Sequence, residues 1–306
     1  MAKSAALLLL HGMGETEANY YEGLRQRVSD RLGAVMEKLA FRPIDYQKAL
    51  QRNQEEVWLR MQEHTLRFKE LRQFFLFGIA DAAGLENRKE LDGSVYEEAQ
   101  VEIARQLLAA RNEMQMDGPV VVIAQSLGGQ VFSSYLYDAQ RAEEAARNPG
   151  IPKPQAGIWK NIDDFSDRIN QSGQPLTDAE KWFLAGNAVV GLVTTGCNIP
   201  IFVAAHKQMH INPIKRPTVG FKWLNFYDRH DALGWPLQPL RGGYETLVED
   251  REVNIGRGIL GWATSFTPLS HTSYWEDDDV IKPLAQMLEH ALANPSGATN
   301  PFAAPI

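Results

Sequence analysis

Residues 120–130 read Val-Val-Val-Ile-Ala-Gln-Ser-Leu-Gly-Gly-Gln. Four β-branched residues run into a small residue, and a helix-like pattern follows Ser126. The stretch therefore predicts a strand that turns sharply into a helix, with the serine at the apex. Such a turn lifts the hydroxyl out of the backbone and leaves the unpaired N–H groups of the helix N-terminus beside any negative charge that develops there. Ser126 is the candidate nucleophile.

Small residues flank this serine. Ala124 stands where the Gly-x-Ser-x-Gly pattern has its first glycine, and Gly128 keeps the second. At such an elbow the helix crosses the strand closely, so larger side chains at these two positions would clash. The alternative interpretation is a strand–loop–helix junction that merely contains a serine. A second motif at the start of the chain disfavours that alternative.

Residues 5–14 read Ala-Ala-Leu-Leu-Leu-Leu-His-Gly-Met-Gly, an apolar strand that ends in His-Gly-x-Gly. With both motifs in this order, the chain resembles the α/β-hydrolase superfamily over nearly its whole length. Residues 123–138 are similar to an uncharacterised bacterial esterase- or lipase-like branch. The resemblance implies a single domain over residues 1–306, with a mostly parallel central sheet, helices on both faces and helical cap insertions. It also implies a serine hydrolase with a Ser-His-Asp triad.

In this superfamily the acid and then the histidine follow the nucleophile along the chain. Of the seven histidines, only His271 and His290 lie beyond the region expected to carry the acid. His290 falls in the apolar pattern of the C-terminal helix, which favours a packing or surface role. His271 lies in the loop before that helix, where the resemblance puts the base that Ser126 needs.

Two aspartates, Asp228 and Asp231, follow a strand predicted at 221–227. Residues 231–240 are similar to the acid-bearing segment of intracellular DDHD-type phospholipases, although Leu-Gly-Trp-Pro in the middle departs from it. This similarity favours Asp231 over Asp228 as the triad acid, with turn capping as the role of the other. His230, between them, is expected to point away.

Two backbone N–H groups are expected to bind the oxyanion. One belongs to Leu127, directly after the nucleophile, and the other to Met13 in the His-Gly loop. Gly12 and Gly14 would let the backbone approach the substrate oxygen. His11 is expected to anchor its loop by hydrogen bonding and not to touch substrate.

Strand and helix patterns alternate along the chain, which predicts an α/β fold. Asn53 and Glu56 predict the start of a long helix. Its apolar stripe would be buried and consists of Val57, Met61, His64, Phe68, Leu71 and Phe75. Further predictions are strands near 39–46 and 188–195 and a helix near 96–111.

Residues 50–92 and 148–187 are interpreted as insertions over the carboxyl edge of the sheet, where α/β proteins bind ligands. In the superfamily such insertions commonly act as lids, and the alternative is that they merely cover sheet edges. The tail over residues 294–306 is predicted to be disordered.

Composition argues against several function classes. The net charge of −7 and the lack of a Lys/Arg block disfavour nucleic acid and an anionic membrane surface as partners. No apolar run approaches the roughly 20 residues that span a bilayer, and the run at 7–10 is too short for a signal sequence. A lone cysteine, Cys197, excludes an internal disulfide and favours a reducing cytoplasm. We interpret it as a buried bystander, not a rival nucleophile.

The spacing of His206 and His210 could suggest a metal pair, but no Glu lies between them and no third ligand is evident. We therefore expect neither a metal nor a cofactor. The expected activity is hydrolysis of a small-molecule carboxylic ester through an acyl-enzyme. Thioester or amide cleavage by the same triad is an alternative, and so is a non-catalytic relative that binds a ligand or partner. The sequence leaves open whether the chain forms a homo-oligomer.

Overall fold

A computed structural model describes residues 2–12, 19–207, 209, 211–255 and 273–295, with only the backbone of residues 48–50, 52 and 70. Its strands are β1 (Ala5–Leu10), β2 (Leu39–Ile44), β3 (Val120–Gln125), β4 (Val189–Thr195), β5 (Lys222–Asp228) and β6 (Val248–Val253). They form one sheet in the order β2–β1–β3–β4–β5–β6, and every neighbouring pair is parallel.

Helices connect and flank these strands. They are α1 (Glu22–Leu32), α2 (Lys48–Gln62), α3 (Lys69–Glu86), α4 (Val95–Met114), α5 (Leu127–Arg147), α6 (Ser166–Ile169), α7 (Asp178–Trp182), α8 (Ile199–Ala205), α9 (Tyr244–Leu247) and α10 (Asp278–Ala293). Short helical turns lie at Gly33–Lys38, Ile158–Lys160, Ile162–Phe165, Phe183–Asn187, Gln238–Leu240 and Ser273–Glu276. No helix among the described residues is long and apolar enough to cross a bilayer.

Both faces of the sheet are covered. Every residue of β1 and β3 is buried, as is typical of parallel strands between two helical layers. Because side chains alternate along a strand, Leu8 and Val122 pack with α4 and α5, whereas Leu7 and Val121 pack with α1 and α10. The protein is thus an α/β protein with a single parallel sheet flanked by helices, as predicted.

The strand order reverses between β1 and β3. The chain leaves β1 through α1 toward β2 on one side, and it leaves β3 through α5 toward β4 on the other. In open α/β sheets the loops that diverge at such a point leave a crevice at the carboxyl edge, where ligands bind. Here those loops begin at His11 and at Ser126.

Four of the predicted elements are confirmed with small changes of boundary: β2, α4, β4 and β5. The long helix from Asn53 is wrong, because α2 already begins at Lys48 and ends at Gln62. The next helix, α3, starts only after Phe68, whose φ of 56° breaks the helical path.

The predicted burial of the apolar stripe is also wrong. Phe68 is 75 % exposed and Phe75 is 47 % exposed, and His64 is exposed as well. Helices α2 and α3 form a helical hairpin that is buried through a different face. On that face the side-chain amides of Gln47 and Gln54 each donate to the buried Asp81 carboxylate at 2.6 Å. Helical spacing shows which residues share a face, but it does not show whether another element covers that face.

Residues 148–187 pack against α4 and α5 through their short helices. The Arg168 guanidinium pairs with Glu97 at 2.7 Å, and the Ile158 N–H donates to the Gln100 side chain at 2.9 Å. The lid role of this segment and of residues 50–92 stays a prediction. Of the predicted tail, residues 296–306 lie outside the described residues.

Candidate active site

Ser126 stands between the last residue of β3 and the first residue of α5, with φ 50° and ψ −121°. A residue with a side chain rarely adopts a positive φ, and holding it there costs about 1–3 kcal/mol. Two backbone hydrogen bonds fix the turn: the Ser126 N–H donates to the Thr195 carbonyl at 2.8 Å, and the Ser126 carbonyl accepts from the Gly129 N–H at 3.0 Å. The sharp strand-to-helix turn predicted from the sequence is confirmed.

Close packing of the loops after β1 and β3 explains the small residues around the serine. A methyl carbon on Gly128 would lie 2.5 Å from the His11 carbonyl oxygen. One on Gly12 would lie 2.8 Å from the Ser126 Cβ. Both distances are far below van der Waals contact, so the two loops approach as closely as they do only because glycine stands at these positions.

We expect Gly128→Ala to lower the free energy of unfolding by about 1–3 kcal/mol, because the added methyl meets a backbone oxygen that cannot give way. Urea unfolding measures this change. Gly23→Ala is the matched control, since Gly23 is exposed in α1 and an added carbon there meets nothing within 4 Å. That control should leave stability unchanged or raise it by up to about 1 kcal/mol. Equal losses in the two variants would contradict the close approach.

The Ser126 hydroxyl is buried, and no described residue hydrogen-bonds its Oγ. The same is true of Thr195 Oγ1 and of Asn198 Oδ1, at the end of the neighbouring strand β4. Buried polar atoms are normally hydrogen-bonded, and exceptions call for an explanation. These three residues end or follow strands β3 and β4, so the three atoms lie at the carboxyl edge of the sheet.

The N-terminus of α5 lies directly behind the serine. The first N–H groups of a helix have no partner within it, and the helix dipole adds partial positive charge at this end. Leu127 is the first residue of this 21-residue helix, so its N–H group is suited to binding an oxyanion. Met13, the other predicted donor, lies outside the described residues.

The predicted anchoring role of His11 has a structural basis. Its ring stacks on Tyr46 with centroids 4.8 Å apart, and its Nδ1 lies 2.8 Å from the Gly12 carbonyl oxygen. The Tyr46 hydroxyl donates to the His11 carbonyl at 3.0 Å. These contacts fix the loop that faces Ser126.

Cys197, the other nucleophilic side chain near this edge, is fully buried. Burial raises the pKa of its thiol to about 12. The reactive form of cysteine is the thiolate, so Cys197 is chemically quiet at neutral pH. This agrees with the interpretation of a buried bystander.

Both candidate acids are buried at the end of β5. Asp228 accepts the His230 N–H at 2.8 Å and the Ile255 N–H at 2.6 Å. Asp231 accepts the Leu233 N–H at 2.9 Å. His230 does not point away from both aspartates, because its Nδ1 lies 3.1 Å from Asp228 Oδ1.

Tyr274 links the two aspartates, and sequence reasoning missed it. Its hydroxyl donates to Asp231 Oδ2 at 2.9 Å and accepts from the Asp228 N–H at 2.9 Å. Burial raises the pKa of the Tyr274 hydroxyl well above its ordinary value, so it remains a protonated donor. His271 stands three residues earlier in the sequence and lies outside the described residues. The tyrosine in the loop was the available sequence signal, since a buried Tyr hydroxyl usually finds a partner.

Neighbouring backbone connects the acid to the nucleophile. Gly196 directly follows Thr195, whose carbonyl accepts the Ser126 N–H. A methyl carbon placed on Gly234 would lie 2.9 Å from the Gly196 Cα. The same methyl carbon would lie 2.5 Å from Asp231 Oδ2. Ser126 and Asp231 therefore share the carboxyl edge of the sheet, separated by the ends of β4 and β5.

A second missed feature is a buried polar network on β5 and β6. The Asp250 carboxylate accepts the Asn225 side-chain amide at 2.8 Å. It also accepts the Leu237 and Gln238 N–H groups at 3.0 and 2.8 Å. The network fixes the chain that follows Asp231.

Within the described residues, no three His, Cys, Asp or Glu side chains are grouped so that they could hold a metal ion. His210, one of the discounted histidine pair, lies outside them. No known protein-family model matches the chain, and no curated protein matches it either.

Proposed function

We propose that the protein is a serine hydrolase of the α/β-hydrolase superfamily, with Ser126, His271 and Asp231 as its triad. One observation carries the proposal. Ser126 is held at φ 50° in the crevice between β1 and β3, and no described residue hydrogen-bonds its buried hydroxyl. Backbone strain of this kind persists only where the surrounding structure imposes it, and it clusters at functional sites. The strand–turn–helix context and the chain order Ser, Asp, His support the superfamily.

The proposed reaction is acyl transfer to water. His271 removes the proton of Ser126 Oγ, which attacks the ester carbonyl, and the alcohol leaves with that proton. The N–H groups of Leu127 and Met13 bind the oxyanion, each contributing about 10²–10³ in turnover. Water then cleaves the acyl-enzyme with His271 again acting as base. Asp231 holds the required tautomer of His271 and stabilises its protonated form.

The contact between Tyr274 and Asp231 supports this choice of acid. It ties the chain three residues beyond His271 to the Asp231 carboxylate. A carboxylate has about four lone-pair sites, so Asp231 can accept from an imidazole N–H in addition to the donors from Leu233 and Tyr274.

The same machinery would cleave thioesters or amides, and a non-catalytic relative would keep the fold without the reaction. The proposed mechanism needs neither a metal nor a cofactor. The lone, buried Cys197 supports a reducing compartment such as the cytoplasm.

A fluorophosphonate probe tests the proposal, since it reacts with activated serines. We expect the folded protein to form a single adduct that peptide mapping assigns to Ser126, and heat-denatured protein to remain unlabelled. Esters of p-nitrophenol with graded acyl length, compared with matched thioesters and amides, then identify the bond that is cleaved. A folded protein that is neither labelled nor active on any of them would be a binding protein, and the proposal would be wrong.

A further inference from the structure

The helical hairpin of α2 and α3 carries a large exposed apolar face. Half of the large apolar side chains that are exposed among the described residues lie within residues 57–79. Along α3 and the residue before it, they recur at steps of three or four, which places them on one side of the helix. We call this side the outer face of α3, and it consists of Phe68, Leu71, Phe75 and Ile79. Phe77, Asp81 and Leu85, on the other side of the helix, are buried.

The outer face of α3 lies in a stretch without acidic residues. Residues 71–80 read Leu-Arg-Gln-Phe-Phe-Leu-Phe-Gly-Ile-Ala, and Arg72 is their one charged residue. A surface helix of a globular protein is normally polar on the side away from the core. Here both sides of the helix are apolar, and Phe68 and Ile79 are 75 % and 65 % exposed. An exposed apolar patch of this kind marks an interaction site.

Basic side chains surround the tip of the hairpin, where α2 leads into α3. Residues 60–72 include four Arg or Lys residues and two Glu, although the whole chain has a net charge of −7. Arg67, Lys69 and Arg72 are exposed, and none of them pairs with a carboxylate that the structure describes. Arg72 instead donates to the Arg67 carbonyl at 2.9 Å. The tip therefore combines exposed aromatic rings with cations that are available to an anionic partner.

The charge of the tip distinguishes between the two obvious occupants, a lipid surface and a second copy of the chain. A second copy would bring the same cations, and lysine is depleted from protein–protein interfaces. Helices that lie in a membrane interface place Phe and Leu at the acyl-chain boundary and Lys and Arg at the phosphate groups. The negative charge of the rest of the chain does not prevent this, because exposed charges more than about 8–10 Å apart are largely screened in salt.

We propose that the α2–α3 hairpin binds membrane surfaces that contain anionic lipid. The outer face of α3 enters the acyl-chain boundary, and Arg67, Lys69 and Arg72 contact the phosphate groups. The binding is peripheral, since no described helix is long and apolar enough to cross a bilayer. It uses none of the residues of the proposed triad, so it stands or fails independently of the hydrolase proposal.

Co-sedimentation of the full chain with lipid vesicles tests the proposal. One set of vesicles is phosphatidylcholine alone, and the other is a mixture of phosphatidylcholine and phosphatidylglycerol. We expect the partition coefficient to be at least about tenfold higher for the mixture and to fall as salt is raised, because each cation near the surface contributes about fivefold. No binding of the folded protein to the mixture at low salt, or equal binding to both sets, would overturn the inference.

Phe68→Ser and Ile79→Ser should each lower partitioning into the mixed vesicles by about tenfold, because each removes an apolar side chain from the acyl-chain boundary. Val219→Ser is the matched control, since Val219 is fully exposed in the loop before β5. The control should bind like the wild type. Thermal unfolding checks that all three variants are folded, as expected for exposed positions. Unchanged binding by the folded Phe68→Ser/Ile79→Ser double variant would contradict the role of the outer face of α3.

Lys69→Gln should lower partitioning about fivefold. Lys153→Gln changes an exposed lysine outside the hairpin and should leave partitioning unchanged. Equal losses in these two variants would mean that the attraction is spread over the protein and not located at the hairpin tip.

Sedimentation velocity addresses the second copy as the other occupant. We expect a monomer in the absence of lipid. A dimer that Phe68→Ser dissociates, together with no binding to vesicles, would assign the outer face of α3 to self-association and overturn the proposal. None of these measurements uses an ester, so their outcome is independent of whether Ser126 is a nucleophile.

Discussion

Replacing Ser126 by alanine is expected to lower ester turnover by about 10⁶-fold, the size of loss seen when a triad nucleophile is removed from a serine hydrolase. The alanine keeps the backbone but removes the hydroxyl oxygen that would form the proposed acyl-enzyme. Stability should hardly fall, because no described residue hydrogen-bonds the hydroxyl. Turnover of a p-nitrophenyl ester and fluorophosphonate labelling measure the loss, and urea unfolding measures stability.

Ser166→Ala is the control for this experiment. Ser166 is also buried, but it begins α6, and among the described residues its hydroxyl accepts only the Leu176 N–H, at 3.4 Å. The control variant should keep both turnover and labelling. Substantial turnover by folded Ser126→Ala would place the nucleophile elsewhere.

Asp231→Asn is expected to lower turnover by about 10⁴-fold, as the corresponding change does in trypsin. An amide in this place presents a donor where the imidazole N–H needs an acceptor, and His271 would then be held in the wrong tautomer. Asparagine can accept from only one of the two donors, Leu233 or Tyr274, so the free energy of unfolding should fall by about 1–3 kcal/mol. Urea unfolding checks that the variant is still folded. Single-turnover acylation of the protein by a p-nitrophenyl ester measures the loss directly.

Asp228→Asn is the matched comparison, and we expect a similar loss of stability with a much smaller loss of turnover. Asp228 accepts the N–H groups of His230 and Ile255 on its two oxygens. Asparagine can satisfy only one of them, which should lower the free energy of unfolding by about 1–3 kcal/mol. Its turnover should change far less than that of Asp231→Asn. The reverse order of turnover losses would make Asp228 the triad acid.

The elbow could be predicted because local sterics alone determine it. A β-branched run, a serine and small residues on both sides permit few other conformations, and the structure has the strained turn at Ser126 as predicted. The parallel sheet was predictable for a related reason, since strands buried on both faces are apolar throughout. Features that depend on contacts between residues far apart in the sequence were harder to predict.

The strand β6 shows where pattern reading fails. It reads Val-Glu-Asp-Arg-Glu-Val, and four of its six residues are charged. Among the described residues it pairs only with β5, at the edge of the sheet, where charged side chains are normal. Its Asp250 side chain contacts Asn225 of β5, which lies 25 positions earlier in the sequence. The same holds for Tyr274 and Asp231, which are 43 positions apart.

The helical hairpin of α2 and α3 shows the opposite failure. Its apolar spacing was clear, but the chain breaks at Phe68 and the stripe faces outward. The buried side chains that the structure describes in the hairpin are Trp58, Phe77 and Leu85, together with the polar side chains around Asp81. Periodicity shows which face of a helix is the most apolar, whereas tertiary packing determines which face is buried.

Ser126 has no exposed surface, and this has a kinetic consequence for the proposed enzyme. Part of the binding energy of any substrate must be spent on opening the crevice before bond making begins. Small esters that touch little of the protein would release little energy to shift that equilibrium, whereas larger ones would release more. Size selectivity would then arise from gating, and stray reaction with short metabolites would be suppressed.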